Sequence, residues 1–182
     1  MEALVVSTSI VALAEMGDKT QLLSFVLAAR LKRPVPIVLG ILVATLANHV
    51  LAGWIGAWLA TLVSPTTLRY AIAASFVAFG LWALKADELP GDQKLRGAGA
   101  FVTTLAAFFL VEMGDKTQLA TVALAARYES LVAVVTGTTL GMMIANVPAV
   151  LVGEKLAERI DMKLVRRIAA ATFALTGVAA LL

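Results

Sequence analysis

The chain has 182 residues, of which 60% are hydrophobic and only 15% charged, so it is more apolar than a soluble domain, where about 45–50% is usual. Its formal charge of +3 is spread over short polar stretches rather than a basic patch interleaved with aromatic side chains, which argues against a nucleic-acid partner. The absence of cysteine excludes disulfides and thiolate metal sites. Because lipid forces a backbone to satisfy its own hydrogen bonds, we predict an all-α integral membrane protein.

Six apolar segments follow one another along the chain, at residues 3–29, 34–60, 67–84, 98–126, 131–153 and 165–182. A helix of about 20 apolar residues crosses a bilayer, so these segments are predicted to be six transmembrane helices. The longest polar stretch, which contains Pro90 and Gly91, divides the chain near its middle. We therefore predict three helices in residues 1–85, a cytoplasmic linker in 86–97 and three helices in 98–182.

The two halves of the chain are copies of each other at a constant offset of 97 residues. The clearest copy is the motif Glu-Met-Gly-Asp-Lys-Thr-Gln-Leu, which occupies residues 15–22 and again 112–119. The match continues without gaps in pairs such as Arg30 with Arg127, Gly40 with Gly137, Arg69 with Arg166, and Phe76 with Phe173. Three helices per half is an odd number, so the second three-helix repeat is predicted to be inverted in the membrane, as in many transporters.

Lysine and arginine in the polar segments are distributed very unequally between the two predicted sides of the membrane. Eleven fall on the side that holds the linker, whereas the other side has only Arg69 and Arg127. Because positively charged loops stay in the cytoplasm, the linker is predicted to be cytoplasmic. Both termini are then predicted to be non-cytoplasmic.

Each copy of the motif brings two carboxylates, an amide and a lysine into an apolar segment: Glu15, Asp18, Gln21 and Lys19, then Glu112, Asp115, Gln118 and Lys116. A central charged residue costs about 2.5–3.5 kcal/mol on insertion scales, which favours a functional use over a surface role. On a continuous helix at about 100° per residue, the carboxylates and the amide share one face. Lys19 would then pair with Glu15 one turn away, while Gly17 would let another helix, or an unwound turn, come close.

These side chains are candidate metal ligands, because oxygen donors suit hard or borderline divalent cations such as Mn²⁺, Ca²⁺ or Mg²⁺. Four carboxylates and two lysines, all ionised, sum to −4 + 2 = −2, which one divalent cation or two protons would cancel. A site that turns across the bilayer only when neutral would exchange the cation for protons, with the lysines balancing charge. The alternative is a purely structural pair of buried ion-pair networks that lock the helices together.

Further polar side chains in the apolar segments have two interpretations each. Ser24 and Thr121 occupy equivalent positions, and their hydroxyls either complete the cation's coordination shell or bond back to a helix carbonyl. His49, which aligns with Asn146 in the repeat, either relays protons or forms a hydrogen bond between helices. The same two interpretations apply to Asn48.

The doubled Glu-x-Gly-Asp-Lys-Thr motif, at residues 15–20 and 112–117, resembles the signature of a family of small cation/proton exchangers. Bacterial members of that family include MneA-type manganese exporters, and eukaryotic relatives handle manganese and calcium in Golgi membranes. The resemblance covers essentially the whole chain. It implies that Glu15, Asp18, Glu112 and Asp115 carry the cation and the protons, with Gln21 and Gln118 as auxiliary ligands, in a bacterial cytoplasmic (inner) membrane.

We therefore predict a secondary active transporter that exports a divalent cation, first of all Mn²⁺, from the cytoplasm in exchange for protons by alternating access. The cation is substrate and not cofactor, and the expected partners are divalent cations, protons and the lipid bilayer. A Ca²⁺/H⁺ antiporter would use the same oxygen ligands, and a passive channel would use rings of carboxylates. An intramembrane enzyme, which would use the paired carboxylates for acid/base work, lacks any further catalytic constellation.

Overall fold

The computed structural model describes residues 1–85, 99–128, 130–152 and 162–181. Regular structure in these ranges is α-helical, which confirms the all-α prediction. The helices are α1 (Glu2–Glu15), α2 (Lys19–Leu31), α3 (Pro34–Leu62), α4 (Pro65–Ala83), α5 (Ala100–Glu112), α6 (Lys116–Arg127), α7 (Leu131–Val152) and α8 (Met162–Ala179). The predicted linker 86–97 and the basic residues Lys94, Arg96, Lys155 and Arg159 lie outside the described residues.

Three of these helices, α3, α4 and α7, are long and apolar enough to cross a bilayer. They coincide with three of the predicted segments, and α5 and residues 167–179 of α8 are shorter apolar helices. Helices α3 and α4 each begin at a proline, whose fixed φ suits the first helical turn. The Ser64 hydroxyl also accepts a hydrogen bond from the Thr67 backbone N–H at 3.2 Å and caps α4. The chain is an integral membrane protein, as predicted.

The first segment of each half is not the continuous helix that the sequence predicted. Each is divided at the motif, into α1 and α2 in the first half and α5 and α6 in the second. Gly17 and Gly114 have φ angles of 79° and 77°, in the left-handed region that an α-helix cannot use, and the aspartates that follow them are extended. The prediction of one helical face across the motif was therefore wrong. The chain unwinds at each of the two glycines instead.

The helices of one half pack on helices of the other half, and several of these contacts recur with the two halves exchanged. Helix α1 packs on α7, and its counterpart α5 packs on α3, which is the counterpart of α7. A Cβ atom at Gly40 would lie 2.8 Å from Thr104 Cβ, and one at Gly137 would lie 2.9 Å from Ser7 Cβ. These two pairs correspond at the offset of 97, and both require a residue without a side chain for close helix approach. The repeat seen in the sequence is thus also a repeat of packing.

Helices α4 and α8 contact each other through equivalent residues of the two repeats, but their contacts with the other helices are not equivalent. Phe76 and Phe173, which are repeat equivalents, are fully buried with ring centroids 6.0 Å apart. Helix α4 packs on α6, and α8 packs on α1. The equivalent contacts, α8 on α2 and α4 on α5, are absent from the substantial helix packings in the described ranges. The α4–α8 pair therefore covers α1 and α6.

Candidate cation site

The two interrupted helices bring their motif carboxylates together in the protein interior. Glu15 and Glu112 end α1 and α5, and Asp18 and Asp115 immediately precede α2 and α6. All four are at most 1% exposed. Glu15, Glu112 and Asp115 each contribute one oxygen to a group whose atoms lie within 4.8 Å of one another. The two copies of the motif thus form one shared site.

Two threonines hold the glutamates in place. The Thr20 hydroxyl donates to Glu15 Oε2, and the Thr117 hydroxyl donates to Glu112 Oε2 at 3.2 Å. The second oxygen of each glutamate, Oε1, has no hydrogen-bond partner among the described residues. Each glutamate therefore keeps one oxygen oriented and one oxygen free for a cation. Sequence reasoning missed both threonines, although their presence in both motif copies was the available signal.

The lysines pair across the two halves rather than within one helix. Lys19 Nζ lies 2.9 Å from Asp115 Oδ1, and Lys116 Nζ lies 2.5 Å from Asp18 Oδ1. The predicted pair of Lys19 with Glu15 was wrong, because the unwound turn at the glycine removes the helical register on which it depended. The exposed fractions of the paired side chains also differ, 4% and 0% for Lys116 and Asp18 but 19% and 1% for Lys19 and Asp115.

The motif glutamines brace the unwound turns. Gln21 Oε1 accepts from the Gly17 backbone N–H at 2.8 Å, and Gln118 Oε1 accepts from the Gly114 N–H at 2.7 Å. These bonds satisfy N–H groups that the break removes from the helix, which lipid would leave unpaired. The amide nitrogens donate to neighbouring helices, to Ala145 O at 3.0 Å and to Asn48 Oδ1 at 3.3 Å. A ligand role for the two glutamines stays a prediction.

The remaining polar candidates behave differently in the two halves. The Thr121 hydroxyl bonds back to Thr117 O at 2.8 Å, as one interpretation predicted, whereas the Ser24 hydroxyl donates between helices to Asn146 Oδ1 at 2.8 Å. Asn48 donates to Phe109 O at 3.2 Å and thus does link helices. His49 does not: it is fully buried, and neither ring nitrogen has a hydrogen-bond partner in the described part of the chain.

Backbone dipoles complement the side-chain charges at this centre. The N-terminal ends of α2 and α6 begin beside Asp18 and Asp115 and favour negative charge there. The C-terminal carbonyl ends of α1 and α5 lie at the glutamates and favour a bound cation. Half-helices that meet in this way, with oxygen donors only, form a site suited to a hard divalent cation.

Over residues 3–90 and 100–182, the chain matches the family described as Divalent cation/proton antiporter GDT1. The chain belongs to this family. It is 46% identical over 180 residues to a Vibrio cholerae serotype O1 protein named "Putative manganese exporter", covering 98% of this chain and 90% of that protein. It is also 35% identical over 193 residues to the GDT1-like protein sll0615 of Synechocystis, covering 93% of this chain and 91% of that protein. No solved structure matches the chain.

Membership of this antiporter family confirms the resemblance that the doubled motif indicated. It makes the chain a divalent cation transporter and not an enzyme, which removes the acid/base alternative. The cation is accordingly a substrate that the protein carries and not a resident cofactor.

Proposed function

We propose that this chain exports Mn²⁺ from the cytoplasm in exchange for protons, by alternating access in a bacterial cytoplasmic membrane. The observation that carries the proposal is the compact group of Glu15, Glu112 and Asp115, with oxygens within 4.8 Å of one another and drawn from both halves of the chain. A cation held there contacts both repeats at once. Movement of one repeat against the other therefore changes the side from which the cation is reached.

The choice of Mn²⁺ rests on the donor set and on similarity. Carboxylate oxygens suit manganese, whereas calcium takes 6–8 oxygen ligands in a roomier cage. The Vibrio cholerae relative is named as a manganese exporter. Ca²⁺/H⁺ exchange is the second candidate, because the donor atoms are the same.

Proton exchange follows from the charge of the site. The four carboxylates and the two lysines with which the aspartates pair carry a net −2 when all are ionised, since −4 + 2 = −2. One divalent cation or two protons neutralise that charge, and a charged site buried in lipid is costly to move. We propose that Glu15, Asp18, Glu112 and Asp115 bind the cation and the protons in alternation, while Lys19 and Lys116 hold the charge balance.

For the membrane arrangement, we propose two inverted repeats, residues 1–85 and 98–182, with three crossings each. The pairs α1–α2 and α5–α6 would count as one crossing each, interrupted near the midplane. The mirrored contacts of Gly40 and Gly137 support this arrangement. With the basic loops in the cytoplasm, both termini are non-cytoplasmic.

In that topology α1 and α6 occupy the non-cytoplasmic half of the membrane, and α2 and α5 occupy the cytoplasmic half. The α4–α8 pair packs on α1 and α6, so the non-cytoplasmic side of the site is covered. The ion pair of Lys19 with Asp115, on the other side, is the more exposed of the two. We infer an inward-facing state. In the outward-facing state, the α4–α8 pair would pack on α2 and α5 instead.

The test uses the purified chain in liposomes that contain a pH-sensitive dye. Addition of Mn²⁺ is expected to move protons in the opposite direction, and Glu15→Gln and Glu112→Gln are each expected to abolish both fluxes. Glu2→Gln is the matched control, since it removes a carboxylate outside the site and should transport normally.

Each alternative has its own signature in this assay. A larger proton signal with Ca²⁺ than with Mn²⁺ would assign calcium exchange. Cation flux without proton movement would indicate a channel, and full activity in both glutamine variants would leave the motif with a structural role.

A further inference from the structure

A groove on the surface of the helix bundle runs between α4 and α6, and none of the motif carboxylates, lysines or glutamines line it. One part of it is a cavity of about 280 Å³ lined by apolar side chains, with Ser75 as its one hydroxyl. That hydroxyl donates to Ile72 O at 2.8 Å, so it offers no free donor to the cavity. The cavity is therefore suited to a hydrocarbon chain and not to a polar ligand.

The groove continues into a second cavity of about 240 Å³ that carries two arginines. Leu68, Ile72 and Ala126 line both cavities, so the two are contiguous. Arg69 and Arg127 line only the second one, at the end where α4 begins and α6 ends. Apolar space therefore leads directly to a pair of guanidinium groups.

The two arginines are held there by neighbouring groups that leave most of their donors free. Arg127 Nη2 donates to Ala179 O at 3.3 Å, and its guanidinium lies 5.7 Å from the centre of the Tyr128 ring. Arg69 lies over the Tyr70 ring at the same distance. Glu2 accepts from the Tyr128 hydroxyl at 3.1 Å. Arg69 and Arg127 are the charged side chains among the described residues that line the second cavity, so this end of the groove is positive.

We propose that this groove binds an anionic phospholipid, with an acyl chain between α4 and α6 and the phosphate on Arg69 and Arg127. Guanidinium groups match phosphate oxygens geometrically, and basic pockets between membrane helices bind acidic head groups. Both arginines recur in the other repeat, as Arg166 and Arg30. The site is independent of which ion the protein carries and in which direction.

The test is native mass spectrometry of the whole chain in detergent, titrated with phosphatidylglycerol and with phosphatidylcholine of identical acyl chains. Wild type is expected to retain phosphatidylglycerol more tightly, and Arg69→Gln is expected to weaken that binding about fivefold without affecting phosphatidylcholine. Arg69 is the cleaner variant, because it forms no hydrogen bond with the part of the chain that the structure describes. Arg33→Gln, which removes an exposed arginine outside the groove, is the matched control and should bind like wild type.

A second variant tests the acyl-chain part of the groove. Ala71→Phe places a ring in the apolar cavity and is expected to weaken both lipids equally. Thermal unfolding of the lipid-free variants verifies that each is folded. Equal affinity of wild type for the two lipids would overturn the proposal. So would an undiminished preference in Arg69→Gln combined with Arg127→Gln, or an equal loss in Arg33→Gln.

Discussion

The two copies of the motif have the same eight residues and different surroundings. Beside the first copy, Ala83 of α4 and Ala169 of α8 line a small cavity together with Asp18 and Lys116. Beside the second copy, Met113 is 53% exposed, whereas its equivalent Met16 is partly buried. The motif residues are the same in both copies, so the difference lies in the helices around them, and Ala83 and Ala169 of the α4–α8 pair lie beside the first copy.

The different surroundings of the two motif copies suggest how the α4–α8 pair moves. The same eight motif residues are stable both beside the α4–α8 pair and away from it. The motif therefore need not change its own conformation if the pair moves from one copy to the other. Two arrangements that differ by little free energy are what a ligand can redistribute. If the α4–α8 pair moves during transport, the difference between the copies is a conformational state; if it does not, the difference is a fixed property of each half.

The largest effect is expected from locking the α4–α8 pair in place. Ala14 and Ala169 line the same small cavity, so a short thiol cross-linker should join cysteines placed at these two positions. Because the chain has no cysteine of its own, the reaction is specific. Cross-linking Ala14→Cys with Ala169→Cys is expected to abolish transport in liposomes, and cleavage of the link should restore it.

The repeat supplies the reciprocal pair. At the offset of 97, Ala14 corresponds to Val111 and Ala169 to Ile72. Val111→Cys with Ile72→Cys is expected to cross-link only when an opposing cation gradient favours the other state. Each single cysteine variant is the control. Transport that continues with Ala14 and Ala169 linked would mean that the α4–α8 pair does not move.

A smaller effect, on stability, is expected from the lysines. Lys116→Met leaves Asp18 buried with its short ion pair broken, and loss of one member of a buried pair costs about 3–5 kcal/mol. Lys19→Met also leaves a buried carboxylate, Asp115, but the lysine of this pair is partly exposed, so water can take its place and the cost should be smaller than for Lys116→Met. Denaturant unfolding in detergent measures both. Equal losses would mean that the two copies have equivalent environments.

The apolarity and the 97-residue repeat were enough to predict the helical membrane fold and the four carboxylates at its centre. The broken helices could not be predicted from the hydrophobic pattern, since glycine fits both a helix and an unwound turn. A sequence read one helix at a time also could not reveal that Lys19 reaches Asp115, because that contact requires the two halves to meet. The packing of α4 and α8 on α1 and α6 could not be predicted, because the positions that the two halves share do not indicate on which helices this pair packs.

Substitution of Gly17 or Gly114 should lower stability in the same way, because both residues have a positive φ. These variants are therefore a control for the comparison of the two motif copies. No neighbouring atom lies within 4 Å of a Cβ built on Gly114, so Gly114→Ala costs only the backbone strain of a positive φ, about 1–2 kcal/mol. Asparagine tolerates that conformation, so Gly114→Asn should recover most of the loss. Gly17→Ala is expected to incur at least the same backbone cost. If Gly114→Asn is as unstable as Gly114→Ala, the turn does not require a left-handed residue.

The smallest effect is expected at the hydroxyls one turn beyond the motif, where the two halves make different bonds. Ser24→Ala removes a hydrogen bond to Asn146 on another helix and should cost about 1 kcal/mol. Thr121→Val removes a bond to Thr117 O within its own helix and should cost much less, because that bond links no second element. Unfolding of both variants under the same conditions gives the difference directly. A larger loss for Thr121→Val would mean that its hydroxyl reaches His49, the repeat equivalent of Asn146, in a state the protein also populates.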